Sequence, residues 1–325
     1  MFRKIIGIII ICTALLILQS NSPIERKQVK IYISQLVEHP ALAATTKGIV
    51  DGLAGAGYID GNNIELKIES AQGNMALAGQ IANKFVSNKP DIVVGVATMA
   101  AQSFVKFARA GKTKLIFTTV TDPLGVKLVK SLEQPGNNIS GVSNFVALEP
   151  QIEMFKQIKP SIKKLGFLYN PGEFNSISLI EQLRIICPKY GIKLVTISVS
   201  KTSEIAQSAI KLSSLVDAIF ISNDNTALST LRMIVKAADQ QKIPVFVSDT
   251  DIVANGAIAA LGPNQYEIGR QTAAMIIQVL KGKDINNMQV QFPRKTELFL
   301  NMKVAKKLGI KLPDDLIAKA KKVLH

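Results

Sequence analysis

From Val29 onward, short apolar runs alternate with segments of helical period, and little else lies between them. The runs predict strands over 29–36, 63–69, 91–96, 114–120, 139–143, 164–169, 192–199, 217–222, 243–248 and 257–261. The periodic segments predict helices over 42–56, 74–88, 99–110, 148–158, 175–187, 203–214, 226–241 and 264–281. Strands that are apolar at nearly every position belong in a parallel sheet covered on both faces. Punctuation agrees: Gly57, Gly111, Gly191 and Gly282 follow helix ends, and Asn264 with Glu267 forms a capping box. Right-handed βαβ units then make a doubly wound α/β sheet the expected topology.

Two stretches look like copies of one building block. Residues 91–98 lead through a helix to 115–122, and residues 217–224 lead through another to 244–251. In each, a run of Val, Ile and Phe breaks off in Thr, Ser, Asn or Asp at the carboxyl end of a strand, where open α/β sheets bind ligands. Two such units imply two lobes with facing polar rims. The turn-rich Pro135-Gly136-Asn137-Asn138 marks the break, so the first lobe ends near 140 and the second starts around Gly141. Beyond Gly262 come one long helix and short strands around 288–292 and 296–301, which periodicity assigns to neither lobe. Residues 313–325 read as a basic, loosely attached tail.

Arg3 and Lys4 precede an unbroken apolar run from Ile5 to Leu18, the layout of a secretory signal peptide over 1–22. Cleavage is expected after Ser20, the alternative being an uncleaved amino-terminal anchor. Without that leader Cys187 is the only cysteine; no internal disulfide can form, and the thiol reads as a small buried hydrophobe. A hydrophobic share of 47% and a charged share of 19% fit a folded core. The net charge of +15 is spread over helices and turns without an arm or interleaved aromatics, which argues for a solvated basic surface and against nucleic acid.

The only histidines are His39 and His325, and there is no metal-ligand spacing, no nucleophile elbow and no phosphate-cradling Gly-Lys-Ser/Thr loop. No cofactor is expected and catalysis is disfavoured. The candidate ligand groups are Glu38, His39, Thr98, Thr119, Thr121 and Asp122 on the first lobe, with Asn170, Asn175, Ser176, Asp224 and Asp249 across the cleft. Any one of them could be a helix cap; their joint placement at strand ends argues for binding. Hydroxyls and helix-start N–H groups suit a carboxylate, and Asp224, Asp249 or Glu38 could take an ammonium group. No arginine lies at these strand ends, which speaks against phosphate or dicarboxylate. Val37, Met99, Phe145, Tyr169 and Phe174 could supply apolar walls.

The chain resembles the exported substrate-binding proteins of ATP-driven importers, the type I periplasmic-binding family with tryptophan- and tyrosine-binding members. The likeness covers about 29–312 and rests on Glu38-His39-Pro40-Ala41-Leu42, Gly48-x-x-Asp51-Gly52-Leu53, Thr119-x-Thr121-Asp122-Pro123, Asn137 to Ser143, Tyr169-Asn170-Pro171-Gly172-Glu173-x-Asn175-Ser176 and Gly269-Arg270-Gln271-x-Ala273. Met99 and Asn144 depart from the pattern, standing where a smaller residue or Pro, and Asp, are expected. The resemblance implies two Rossmann-like lobes joined by three crossings and closing over a small ligand. It also implies that about 263–291 returns to the first lobe while about 292–312 joins the second. A monomer serving a membrane permease follows, with an aromatic or other apolar amino acid as cargo. A sugar- or nucleoside-binding receptor of the same fold is the alternative, and an enzyme on that fold ranks third.

Overall fold

The computed structural model describes residues 28–325, so the expected signal segment over 1–22 lies outside the described residues. In chain order the elements are β1 (Val29–Gln35), α1 (Pro40–Gly55), β2 (Ile64–Ser70), α2 (Met75–Ser87), β3 (Ile92–Val96), α3 (Thr98–Arg109), β4 (Lys114–Val120) and β5 (Ile139–Ser143). There follow α4 (Glu149–Ile158), β6 (Lys164–Tyr169), α5 (Phe174–Lys189), β7 (Lys193–Ser198), α6 (Ile205–Ser213), β8 (Ala218–Ile221), α7 (Asn225–Ser229), α8 (Leu231–Gln240), β9 (Val245–Val247) and β10 (Ala259–Gly262). Last come α9 (Gln265–Leu280), β11 (Glu297–Asn301), α10 (Met302–Leu308), α11 (Asp314–Lys319) and β12 (Lys322–Leu324). Among the described residues no helix is long and apolar enough to cross a membrane.

The strands form two sheets, ordered β2-β1-β3-β4-β5 and β12-β11-β10-β9-β8-β6-β7. All pairings are parallel except β10 with β11. Period-two alternation sends successive side chains to opposite faces, and here both faces are buried. Ile31, Ile33, Val94 and Ile116 enter one core of the first lobe, while Tyr32, Val93, Leu115 and Phe117 enter the other. In the second lobe Phe167 and Phe220 face one core and Leu168, Ile219 and Ile221 the other. Phe155 of α4 stacks on Phe246 with ring centroids 4.2 Å apart, fixing α4 to the second sheet. Cys187 is fully buried there, and burial pushes its thiol up to about 11, so it packs as an inert small hydrophobe.

Four local readings change. The boundary at 140/141 would cut β5, but β5 pairs whole with β4, so the chain leaves the first sheet only after Ser143. The segment 288–292 makes no strand; it contributes a single bridge between Gln291 and Val142. The helix over 226–241 is two helices, α7 and α8, separated at Thr230. The tail is not loose, because β12 pairs with β11 and Leu316 is buried in the lobe's core.

The helix α9 follows the second lobe's strands yet packs on α1 of the first. Glycines allow it: a Cβ on Gly48 would sit 2.1 Å from the Tyr266 carbonyl oxygen, and one on Gly269 2.0 Å from that of Thr45. No ordinary Cβ contact is so short, so the two backbones touch directly. Gly269→Ala is therefore expected to lower unfolding free energy by about 1–3 kcal/mol in urea titration. Unchanged stability would mean that α1 and α9 do not approach this closely.

Candidate functional site

The carboxyl ends of the parallel strands of both sheets face one another, and each ends in polar residues. From the first lobe come His39 after β1, Thr98 after β3, Thr119 and Thr121 from β4 and its loop, and Asn144 after β5. From the second come Asn175, Asn223, Asn225 and Asp249. Together with Ala41, Leu42, Leu228 and Gln265 they line one small cavity of about 10 Å³. Direct hydrogen bonds cross between lobes around it. The Asn223 amide donates to Thr121 Oγ1 at 3.1 Å, Ser178 donates to Asp122 at 3.0 Å, and His39 Nε2 lies 3.3 Å from Asn225 Oδ1. These contacts join the two lobes directly across the cleft.

Two strand ends on the first lobe are strained. Ala97 has φ 75° and ψ 159°, a region otherwise left to glycine, and the β-branched Thr119 has φ 53°. They hold each other: the Ala97 N–H donates to the Thr118 carbonyl at 3.0 Å and reaches Thr119 Oγ1 at 3.1 Å. The ladder between β4 and β5 shifts register at this point. The result aims the start of α3 into the cleft. Neither α3 nor α1 carries a side-chain cap, whereas α2, α7 and α9 are capped by Asn74, Asp224 and Asn264. The unclaimed N–H groups of α1 and α3 are available to an anion.

The candidate carboxylates separate sharply. Glu38 is exposed and does not line the cavity. Asp224 is fully buried, and its two oxygens accept from the Asn170 N–H at 2.6 Å, the Ser176 hydroxyl at 2.7 Å and the Ala227 N–H at 2.8 Å. Burial first, and the charge of Glu173 second, push its carboxyl well above the usual range. Every donor it meets lies in its own lobe, so it braces α5 against α7, and Ser176 serves that brace. Asp249 is different. Gln265 donates to its Oδ1, Oδ2 takes no protein hydrogen bond, and burial pushes the carboxyl up to about 7.

Asp122 accepts from the Gly125 N–H and from Ser178, and the Asn170 side chain is used by the Gly172 N–H and Thr226. Neither lines the small cavity. Phe174 is 58% exposed, and Phe145 and Tyr169 line neither cleft hollow, so the apolar walls lie elsewhere. Beyond Asn225 a hollow of about 490 Å³ spans both lobes. Leu36, Val37, Met75 and Met99 form one wall and Asn170, Lys201 and Thr226 part of the other. Glu173 and Asn223 stand among the polar strand-end residues of the sequence without being singled out as ligand groups, and Asn144, Asn225 and Gln265 were missed. For Asn223 and Asn225 the signal was present, since Asn223-Asp224-Asn225 directly follows β8. Gln265 sits inside a helix start and gave none. Among the described residues no cluster of His, Cys, Asp or Glu could hold a metal ion.

Two α/β lobes with a polar cleft at the strand ends define a type I periplasmic-binding fold. A family model described as ABC transporter substrate binding protein matches residues 30–324. The chain belongs to that family, which is one of substrate-binding proteins and not of enzymes. It is 35% identical over 285 residues to a "Tyrosine-binding protein" of Clostridioides difficile, covering 88% of this chain and 82% of the relative. A Streptococcus pneumonia ABC domain in complex with L-Trp is 34% identical, with TM-score 0.86, covering 92% of this chain and all of the other. A ligand-free, open substrate-binding protein from Clostridium difficile is 33% identical, with TM-score 0.67, covering 91% of this chain and 99% of the other.

The contrast between the two buried aspartates can be measured. Asp224→Ala strands three donors and is expected to cost about 3 kcal/mol of stability. Asp249→Asn removes a carboxyl that burial already disfavours and should leave the denaturation midpoint close to wild type. Equal losses in both variants would show that Asp249 is a brace as well.

Proposed function

We propose that this chain is the extracytoplasmic solute-binding component of an ABC importer, and that its cargo is a small organic zwitterion, foremost an aromatic amino acid. The observation that carries the reading is Asp249. It is the one carboxylate lining the cleft cavity, with an oxygen that no protein donor claims. An ammonium group would meet that oxygen, while the uncapped start of α3, whose Met99 lines the larger hollow beside the cavity, would receive a carboxylate. The hollow beside Met99 would take the side chain, and an aromatic group there could bury roughly 150–250 Å².

Lobe closure is part of the reading. At nearly equal identity, the chain superposes better on the tryptophan-bound relative than on the ligand-free open one, 0.86 against 0.67 in TM-score. Among the relatives more than 30% identical to this chain, the two that print a ligand name an aromatic amino acid, which supports the same class here. Delivery to a membrane permease is part of this reading, and membership of the family supports it. The signal-like sequence of residues 1–22, a basic start followed by an apolar run, supports export of the chain, as a monomer in this reading.

Calorimetry with L-tyrosine, L-tryptophan and L-phenylalanine is expected to give stronger binding than glycine, glutamate or any monosaccharide. Heat from a neutral sugar or nucleoside alone would replace this reading with the receptor alternative.

The pH dependence has a definite sign. The free Asp249 carboxyl titrates at about 7, and a bound ammonium would hold it ionised at lower pH. Binding below that pH must therefore expel a proton. Affinity should be constant just above about pH 7 and fall about tenfold per pH unit below it. In Asp249→Asn that slope is expected to vanish; a slope that survives would place the titrating group elsewhere.

A further inference from the structure

The Glu173 carboxylate is 2% exposed and collects donors from α7: the Asn225 N–H at 2.9 Å, the Asn225 amide nitrogen at 2.6 Å, the Thr226 N–H at 2.9 Å and the Thr226 hydroxyl at 2.8 Å. Both carboxylate oxygens already accept from these donors, so it is the NH₂ end of Asn225 that faces Glu173. The Asn225 oxygen is thereby turned to His39 Nε2 across the cleft, 3.3 Å away. That oxygen also only accepts, so Nε2 carries the ring proton. Burial pushes the imidazole down to about 4 and keeps it neutral. Nδ1 is then a bare lone pair, buried and without a partner.

The same logic fixes Asn175. Its amide nitrogen donates to the Asn223 carbonyl at 2.6 Å and lies 3.3 Å from Glu173, which leaves its oxygen buried and unpartnered. His39, Asn175 and Asp249 line the same cavity of about 10 Å³. That is the room of one water-sized group. Orphaned acceptors on residues that line one small cavity call for a ligand group rich in donors, and a protonated primary amine offers three N–H bonds in such a volume.

We propose that His39 Nδ1, Asn175 Oδ1 and Asp249 form an acceptor cage for a primary ammonium group, and that Glu173 is the positioning residue that sets its polarity through Asn225 and Asn175. The proposal rests on the zwitterion reading and narrows it to primary amines. A secondary N-methyl ammonium has one donor fewer and a methyl group the cavity does not hold. A hydroxyl in the same place offers a single donor and no charge for Asp249.

The test uses the full chain with ¹⁵N-labelled histidine, since His39 and His325 are the only two imidazoles. In the ligand-free protein His39 is expected as the neutral Nε2–H tautomer from about pH 5 to about pH 8, with Nδ1 moving toward a hydrogen-bonded shift when L-tyrosine is added. An Nδ1–H tautomer in the free protein overturns the cage whatever the cargo. Calorimetry should show N-methyl-L-tyrosine binding about a hundredfold more weakly than L-tyrosine, as loss of a charged hydrogen bond with a steric clash requires.

Equal binding of the two compounds would reject the cage and leave the amino-acid reading intact. Absence of binding by all three aromatic amino acids would remove both. In Glu173→Gln the new amide can donate to the Asn225 oxygen and release its orientation. A mixed His39 tautomer and a selectivity ratio below about tenfold are expected there, while a pure Nε2–H signal with selectivity unchanged would deny Glu173 its role.

Discussion

Both sheets are buried on both faces, and this constraint decides where any chemistry can occur. A strand such as β3, with all five residues buried, has no place along its length for a polar side chain that must reach a ligand. Only the ends are free. Parallel pairing gathers the carboxyl ends on one edge of each sheet, and the crossings turn those edges toward each other. The cleft polarity is thus a consequence of core burial, since polar groups are tolerated where strands stop and hydrogen bonds remain to be made. The close packing of α1 on α9 through Gly48 and Gly269 ties the chain's return to the first lobe, so that α9 carries Gln265 into contact with Asp249 of the second.

Within the cleft the acidic residues divide by how many donors they meet. Glu173 and Asp224 are saturated and hold α5 and α7 in fixed relation, Glu173 through α7's first N–H groups and Asp224 as its cap. A saturated carboxylate has little left to offer a ligand and much to offer as an orienting group, because the side chains that donate to it cannot flip. Asp249 has one partner and therefore stays available. Burial raises it because no cation is present to compensate, and the charge of Asp251 adds to the same direction. The three residues are similar in type and in distance from strand ends, and only the local count of donors assigns them different work.

That difference explains what was legible in the sequence. The fold was readable because apolar runs and glycine punctuation are local signals, and β1 to β10 lie within a residue or two of the runs that predict them. The break after β5 was misplaced because Gly141, which reads as a turn residue, packs flat against Phe117 instead; a Cβ there would meet the Phe117 carbonyl oxygen at 2.1 Å. The carboxyl-terminal segment was misread because lysines on its exposed positions hide the buried Leu316 and the pairing of Val323 with Leu300. Among site residues, His39, Thr98, Thr119, Thr121, Asn175 and Asp249 come together, whereas Asp122, Asn170, Ser176 and Asp224 are spent on the framework. No one-dimensional pattern separates a capping aspartate from a free one, because the separating donors at Asn170, Ser176 and Ala227 come from two different segments.

The strained backbone at Ala97 and Thr119 has a place in the same logic. Each such conformation costs on the order of 1–3 kcal/mol and persists only where its surroundings enforce it. Here the enforcement is mutual, since the Ala97 N–H engages both the Thr118 carbonyl and the Thr119 hydroxyl. Because Ala97 directly precedes α3, the unusual dihedral sets the direction in which the helix leaves the sheet. Thr98, the first residue of the helix, then lines the space where the lobes meet, and no side chain of the chain itself caps the helix start. A relaxed turn with a Ser or Asp cap would be more stable and would close the helix start to any outside anion. The first lobe thus keeps a donor-rich helix start unspent, while the second keeps the acceptor Asp249 unspent. The complementarity of those two unsatisfied surfaces is what a small zwitterion between the lobes would complete.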